Sequence, residues 1–144
     1  MSYSRDIQIE FNHCDPAGIV FFPRYHEMLN SVVENFFADE LGRSFARISL
    51  EDRCGVPTVR LLTEFRQPSH LGEVLRFTLR VAGVGRSSAD FLIAAQGRDD
   101  DILRLVARQR IVWIGQDRRA ASWPDDMRSA LVARLDPAAA EEKR

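Results

Sequence analysis

Asp15 is the residue best placed to do chemistry in this chain. It lies in the run Phe11-Asn12-His13-Cys14-Asp15-Pro16-Ala17-Gly18-Ile19-Val20, and a long helical pattern begins shortly after it at Pro23. A helix N-terminus presents unpaired backbone N–H groups and a partial positive charge. A carboxylate that attacks a carbonyl or activates water, beside donors that hold an oxyanion, is the minimal equipment for acyl-group hydrolysis. Neighbouring groups compete for the role. Cys14 is a thiol near a helix N-terminus, although a small buried side chain at a strand end accounts for it better. Glu34 is an acid on the helix, and a solvated helix face accounts for it. His13 could carry a proton, and His26 could touch substrate from the first helical turn. With His70 these histidines are too scattered for a metal site, and no Cys/His cluster supports one.

The elements that must position Asp15 follow from periodicity. Ile7, Ile9 and Phe11 alternate with Asp6, Gln8 and Glu10, the pattern of a half-buried strand. Asp15-Pro16 ends it, because the residue before proline is pushed out of the α region. Gly18 then permits a turn that a side chain resists. From Pro23 the apolar residues Tyr25, Met28, Leu29, Val32, Val33, Phe36, Phe37 and Leu41 fall at three- and four-residue steps. Pro23 suits the first helical position and Gly42 the residue past the end. A short helix around Phe45 to Leu50 precedes four strands: Val56 to Phe65, Glu73 to Val81, Ser88 to Ala95, and Ile102 to Ile114. A last helix runs from Trp123 to Leu135, with Ser122 as N-cap.

Strand, long helix, then an antiparallel meander of four strands makes an α+β domain. The chain of 144 residues is long enough for one core, placed over 1–136, with 137–144 as a solvated tail. The net charge of -1 gives no global field toward nucleic acid or anionic membrane. No apolar run reaches the length of a membrane span, and Cys14 and Cys54 fit no metal or redox spacing. A cytoplasmic protein with reduced thiols is the expectation.

The block Cys14-Asp15-Pro16-Ala17-Gly18-Ile19-Val20, followed by Phe21-Phe22-Pro23 and Tyr25-His26, resembles the signature of the 4-hydroxybenzoyl-CoA thioesterase family, of the type with a D-P-A-G-I-V loop. Gly55-Val56-Pro57-Thr58-Val59, Phe65-x-x-Pro68 and Gly72-Glu73-Val74-Leu75 extend the likeness over most of the chain. The resemblance implies a hot-dog fold: a five-stranded antiparallel sheet wrapped around the long helix, plus a C-terminal helix. It also implies dimers that pair into homotetramers, active sites at subunit interfaces, and hydrolysis of an acyl-CoA thioester without metal or redox cofactor. Asp15 is then nucleophile or general base, the Phe22 backbone N–H with the helix N-terminus holds the oxyanion, and Pro16 and Gly18 shape the loop.

By the same resemblance, Tyr25, His26 and Asn30 contact substrate, Asn30 standing where this type carries an aspartate near the ring hydroxyl. Arg86, Ser87 and Ser88 grip the coenzyme A phosphates, in a turn that holds several basic residues in that type and one arginine here. The expected activity is hydrolysis of aromatic, benzoyl- or hydroxybenzoyl-type, CoA thioesters. The alternatives are a short-chain aliphatic acyl-CoA thioesterase and a non-catalytic acyl-CoA binding module.

Overall fold

The computed structural model describes residues 2–142. Its strands β1 (Tyr3–Gln8), β2 (Thr58–Phe65), β3 (Val74–Val84), β4 (Ser88–Gly97) and β5 (Leu103–Val112) form one sheet in the order β1-β3-β4-β5-β2. Every neighbouring pair is antiparallel. Alternation fixes the inner face: Leu75, Phe77, Leu79 and Val81 of β3, Phe91, Ile93 and Ala95 of β4, and Leu105, Ala107 and Ile111 of β5 are all buried.

Against that face lies α1 (Arg24–Asp39), which buries Tyr25, Met28, Leu29, Val32, Val33, Phe36 and Phe37. Each large apolar side chain so buried contributes about 1.5–3 kcal/mol. The helix stripe read from sequence is therefore the core stripe. Pro23 caps the helix rather than opening it, and Gly42 leaves it with a φ of 69°.

The helix α2 (Asp125–Ala133) closes the far end of the sheet through Met127 and Leu131, next to the Trp113–Trp123 ring pair. Its N-cap is Pro124. Ser122 does not cap it; its hydroxyl accepts from the Arg86 guanidinium instead. Phe11 also departs from expectation. It sits in a 3-10 turn (Phe11–His13), 85% exposed, because the strand's last inward residue is Ile9, whose N–H is taken by the Glu73 carbonyl.

The expected solvated tail is the largest correction. Over its described residues it forms α3 (Pro137–Glu141), and Ala139 is buried against Leu92 and Val106 on the sheet's outer face. Asp136 caps α3 by accepting from the Ala138 N–H, and Arg80 pairs with Asp136 and Glu142. Three alanines in a row show no amphipathic period, so the sequence gives no sign of this docking. Residues 143 and 144 of that tail lie outside the described residues. Among the described residues no helix is long and apolar enough to cross a membrane.

Candidate active site

The Asp15 loop is a closed hairpin. Cys14 bridges Val20, the Asp15 N–H donates to the Ile19 carbonyl at 3.0 Å, and the Gly18 N–H donates to the Asp15 carbonyl at 3.0 Å. Asp15-Pro16-Ala17-Gly18 is thus a turn with proline at its second position and Gly18 at a φ of 80°. The Asp15 side chain joins in: Oδ1 accepts the Ala17 N–H at 2.8 Å. Among the described residues Oδ2 accepts no hydrogen bond, so one carboxylate oxygen is held and the other is free.

Beyond the hairpin the chain enters α1. The Phe21 N–H is spent on the His13 carbonyl at 2.9 Å, and those of Arg24, Tyr25 and His26 on the carbonyls of Phe21, Phe22 and Pro23. The expected bundle of free donors at the helix start is therefore largely consumed by tight first-turn bonds. Phe22 is the exception: among the described residues its N–H has no acceptor. The oxyanion donor expected at this position is free, while the helix N-terminus adds little beyond its dipole.

Aromatic rings line this end of the sheet. Phe22 lies 5.9 Å from Phe21 and 6.2 Å from Phe65, and Phe65 lies 5.6 Å from Tyr25. Phe21, Phe22 and Phe65 are half-exposed. Tyr25 requires correction as a substrate contact. It is 4% exposed and its hydroxyl donates to Ser69 Oγ at 2.9 Å, so it faces the core. Burial raises its pKa, against the opposing bond to Ser69. His26 and Asn30 are exposed on α1, available to a ligand or a partner. His13 uses Nδ1 to accept the Glu10 N–H, and the half-buried Cys14 thiol points to the Glu10 carbonyl.

Arg86, Ser87 and Ser88 are not brought to Asp15. The Asp15 loop rests on residues 69–71, just ahead of β3, through the Ile19–His70 bridge and the Leu71 N–H to the Gly18 carbonyl. Arg86 follows the other end of that strand. Eleven residues of β3 separate them, roughly 35 Å at the rise of an extended strand. The Arg86 turn is instead stitched to the far end: its carbonyl accepts from Trp123, and the Ser87 carbonyl accepts from Trp113.

Sequence reasoning missed the backing of the loop. Glu73 accepts from the His70 N–H and pairs with Arg104 at 2.6 Å, and Arg104 pairs with Asp100 at 2.8 Å. Arg104 is 4% exposed. Arg104 falls on the same alternating face of β5 as Arg108 and Arg110, so nothing in the sequence sets it apart. Among the described residues no group of His, Cys, Asp and Glu could hold a metal ion.

Residues 9–131 match the model of the thioesterase-like superfamily. The chain belongs to that superfamily of thioester hydrolases. A curated relative, the 4-hydroxybenzoyl-CoA thioesterase of Pseudomonas sp. (strain CBS-3), is 57% identical over 30 residues, a stretch that spans 21% of each chain. Among solved structures, 4-hydroxybenzoyl-CoA thioesterase, as an aspartate-to-asparagine variant bound to 4-hydroxybenzoyl-CoA, superposes with a TM-score of 0.80. It is 26% identical, and the match covers 90% of this chain and 98% of that one. The 1,4-dihydroxy-2-naphthoyl-CoA thioesterase Slr0204 of Synechocystis superposes at 0.84 with 20% identity, covering 92% and 96%. The hot-dog fold expected from the Asp15 block is the fold of this thioesterase-like chain.

Proposed function

We propose that this protein is an acyl-CoA thioesterase that releases CoA and a free acid from aromatic, benzoyl- or hydroxybenzoyl-type, thioesters. The observation that carries the reading is the pairing of a half-free carboxylate on a closed hairpin with the unspent N–H of Phe22. Asp15 Oδ2 attacks the thioester carbonyl carbon, or takes a proton from a water that attacks it. The carbonyl oxygen becomes an oxyanion, and the Phe22 N–H stabilises it by about 3 kcal/mol. Collapse expels the CoA thiolate. On the nucleophilic route water then hydrolyses the aspartyl–acyl anhydride. Thiolate is a good leaving group, so no strong acid is needed, and no metal or redox cofactor enters.

The preference for aromatic acyl groups is supported by the Phe21, Phe22 and Phe65 rings beside the loop. Aromatic acyl-CoA esters are also named for two of the matched thioesterases. A second copy of the chain completes the site. Val59, Leu61 and Leu62 lie bare on the edge strand β2 next to Phe65. Arg86, Ser87 and Ser88, too far away within one chain, reach the CoA phosphates from that copy. Asn30 remains the candidate contact for a ring hydroxyl, and two such dimers form a tetramer.

The test is thiol release from benzoyl-, 4-hydroxybenzoyl- and short aliphatic acyl-CoA, with wild type and Asp15→Asn side by side. Fast turnover of the aryl esters that is lost in Asp15→Asn is expected. Preference for aliphatic esters overturns the substrate class, and CoA binding without turnover of any ester overturns the enzyme.

A further inference from the structure

We propose that Ser69 is a positioning residue for this hydrolysis, holding the Asp15 loop and the Phe22 oxyanion donor in register. The inference rests on the acyl-hydrolase reading above. Ser69 is fully buried, at 0% exposure, and uses both of its oxygen atoms. Its carbonyl accepts the Val20 N–H at 2.9 Å, at the stem of the Asp15 hairpin. Its hydroxyl accepts from Tyr25 at 2.9 Å, and the Tyr25 N–H in turn donates to the Phe22 carbonyl at 3.1 Å. One residue thus touches the carboxylate's loop on one side and the helical turn that carries the oxyanion donor on the other.

The segment around Ser69 is itself held. His70 bridges Ile19, and Leu71 donates to Gly18 further along the same arm of the hairpin. Behind it Glu73 takes the His70 N–H and is locked by Arg104, which Asp100 holds from the β4–β5 turn. The anchor is therefore stiff where the loop it carries is exposed. Stability alone does not call for a buried hydroxyl pair, because two apolar groups of the same shape in place of both partners are close to neutral. Alignment does call for it, since an error of about 1 Å between reacting groups can cost 10²-fold in rate.

Three variants test this: Tyr25→Phe, Ser69→Ala and the two combined. Each is assayed for kcat and KM on the wild type's fastest ester and for thermal midpoint, with Asp15→Asn in parallel. Each single change is expected to lower kcat about tenfold with KM within about twofold, and the double to be no worse than either. The double should regain most of the midpoint lost in the singles, because no partner is left stranded, while its kcat stays low.

Folded variants with kcat within twofold of wild type overturn the proposal, as does a kcat that rises and falls with the midpoint across the series. Inactive Asp15→Asn beside a fully active Tyr25→Phe removes the positioning role alone. Turnover retained in Asp15→Asn removes the acyl-hydrolase reading and this inference with it.

Discussion

The two edges of the sheet are finished differently. On β1 the exposed positions are Ser4, Asp6 and Gln8, with Asp6 paired to Arg76 at 3.0 Å. The first residue, Tyr3, is bolted to Asp39 at the end of α1 by a 2.6 Å hydrogen bond. Polar and charged side chains blunt an edge against further pairing. On β2 the residues Val59, Leu61, Leu62 and Phe65 are 57%, 37%, 53% and 47% exposed, on both faces of the strand. Alternation would protect one face of an ordinary edge strand; here neither is protected. The β1 edge is complete within one chain, whereas β2 presents the contiguous apolar surface that marks an interaction site. Phe22, which follows the Asp15 hairpin, packs against Phe65 at the end of the unfinished edge.

The sharpest way to break this comparison is to charge one edge at a time. If the proposed dimer forms through β2, Leu61→Lys is expected to give monomers in sedimentation velocity and to lower turnover at least tenfold, since the partner's share of the proposed site is then missing. Ser4→Lys on β1 should change neither. A Leu61→Lys protein that keeps both its size and its turnover would show β2 to be an ordinary exposed strand.

Much of this arrangement was legible beforehand, for physical reasons. The α1 stripe and the β3 alternation are long periodic signals, and burial follows period. The Asp15 turn was legible because proline and glycine sit where a turn needs them. What escaped depended on partners distant in sequence. Tyr25 reads as one more helix-stripe residue or as a substrate contact, and only the approach of Ser69 gives its hydroxyl a role. Arg86 reads as a CoA contact by resemblance, but that β3 carries it to the end away from its own chain's Asp15 loop is set by strand pairing. The α3 docking was hidden by alanines that carry no pattern.

The Glu73–Arg104 lock offers a second contrast, since it backs the segment that carries the Asp15 hairpin. Burial by itself would raise the Glu73 pKa. The His70 N–H and the Arg104 guanidinium outweigh it and hold the carboxyl below its ordinary value of 4.5. A depressed carboxylate contributes stability above its unfolded pKa, and that contribution is lost as pH falls through the folded value. Glu73→Gln should therefore unfold with a shallower acid dependence below about pH 4.5 than wild type, read from urea midpoints against pH. Its kcat at neutral pH is expected to fall several-fold. Asp100, also depressed by Arg104, keeps part of the acid slope in the variant. An unchanged acid profile would mean that Glu73 does not lock the loop.

Gly18→Ala perturbs the same side more gently. A methyl at Gly18 meets nothing within 4 Å, so the cost is the left-handed backbone alone. That is about 1 kcal/mol of stability, with a severalfold fall in kcat as the turn relaxes and moves the carboxylate. A variant equal to wild type in both would show that the turn tolerates an ordinary backbone.

The smallest effect on turnover belongs to the finished side. Tyr3→Phe deletes the bond to Asp39 and should cost about 1.5 kcal/mol, because a part-buried bond to a charged acceptor is lost. The Tyr3 pKa is pushed up to about 12, first by burial and then by Asp39. A raised pKa contributes stability fully present below the unfolded value of 10 and lost as pH climbs toward 12. Wild type should therefore lose stability across that window, and Tyr3→Phe should lose less, with Tyr25 keeping a residual slope because burial raises it too. Tyr3 sits by the C-terminal end of α1, while Phe22 and Asp15 precede its start. Turnover of Tyr3→Phe at neutral pH is accordingly expected within twofold of wild type even as its midpoint falls. A large loss of kcat would mean that strain at the β1 edge reaches the site along α1, and that the two edges are less independent than their surfaces suggest.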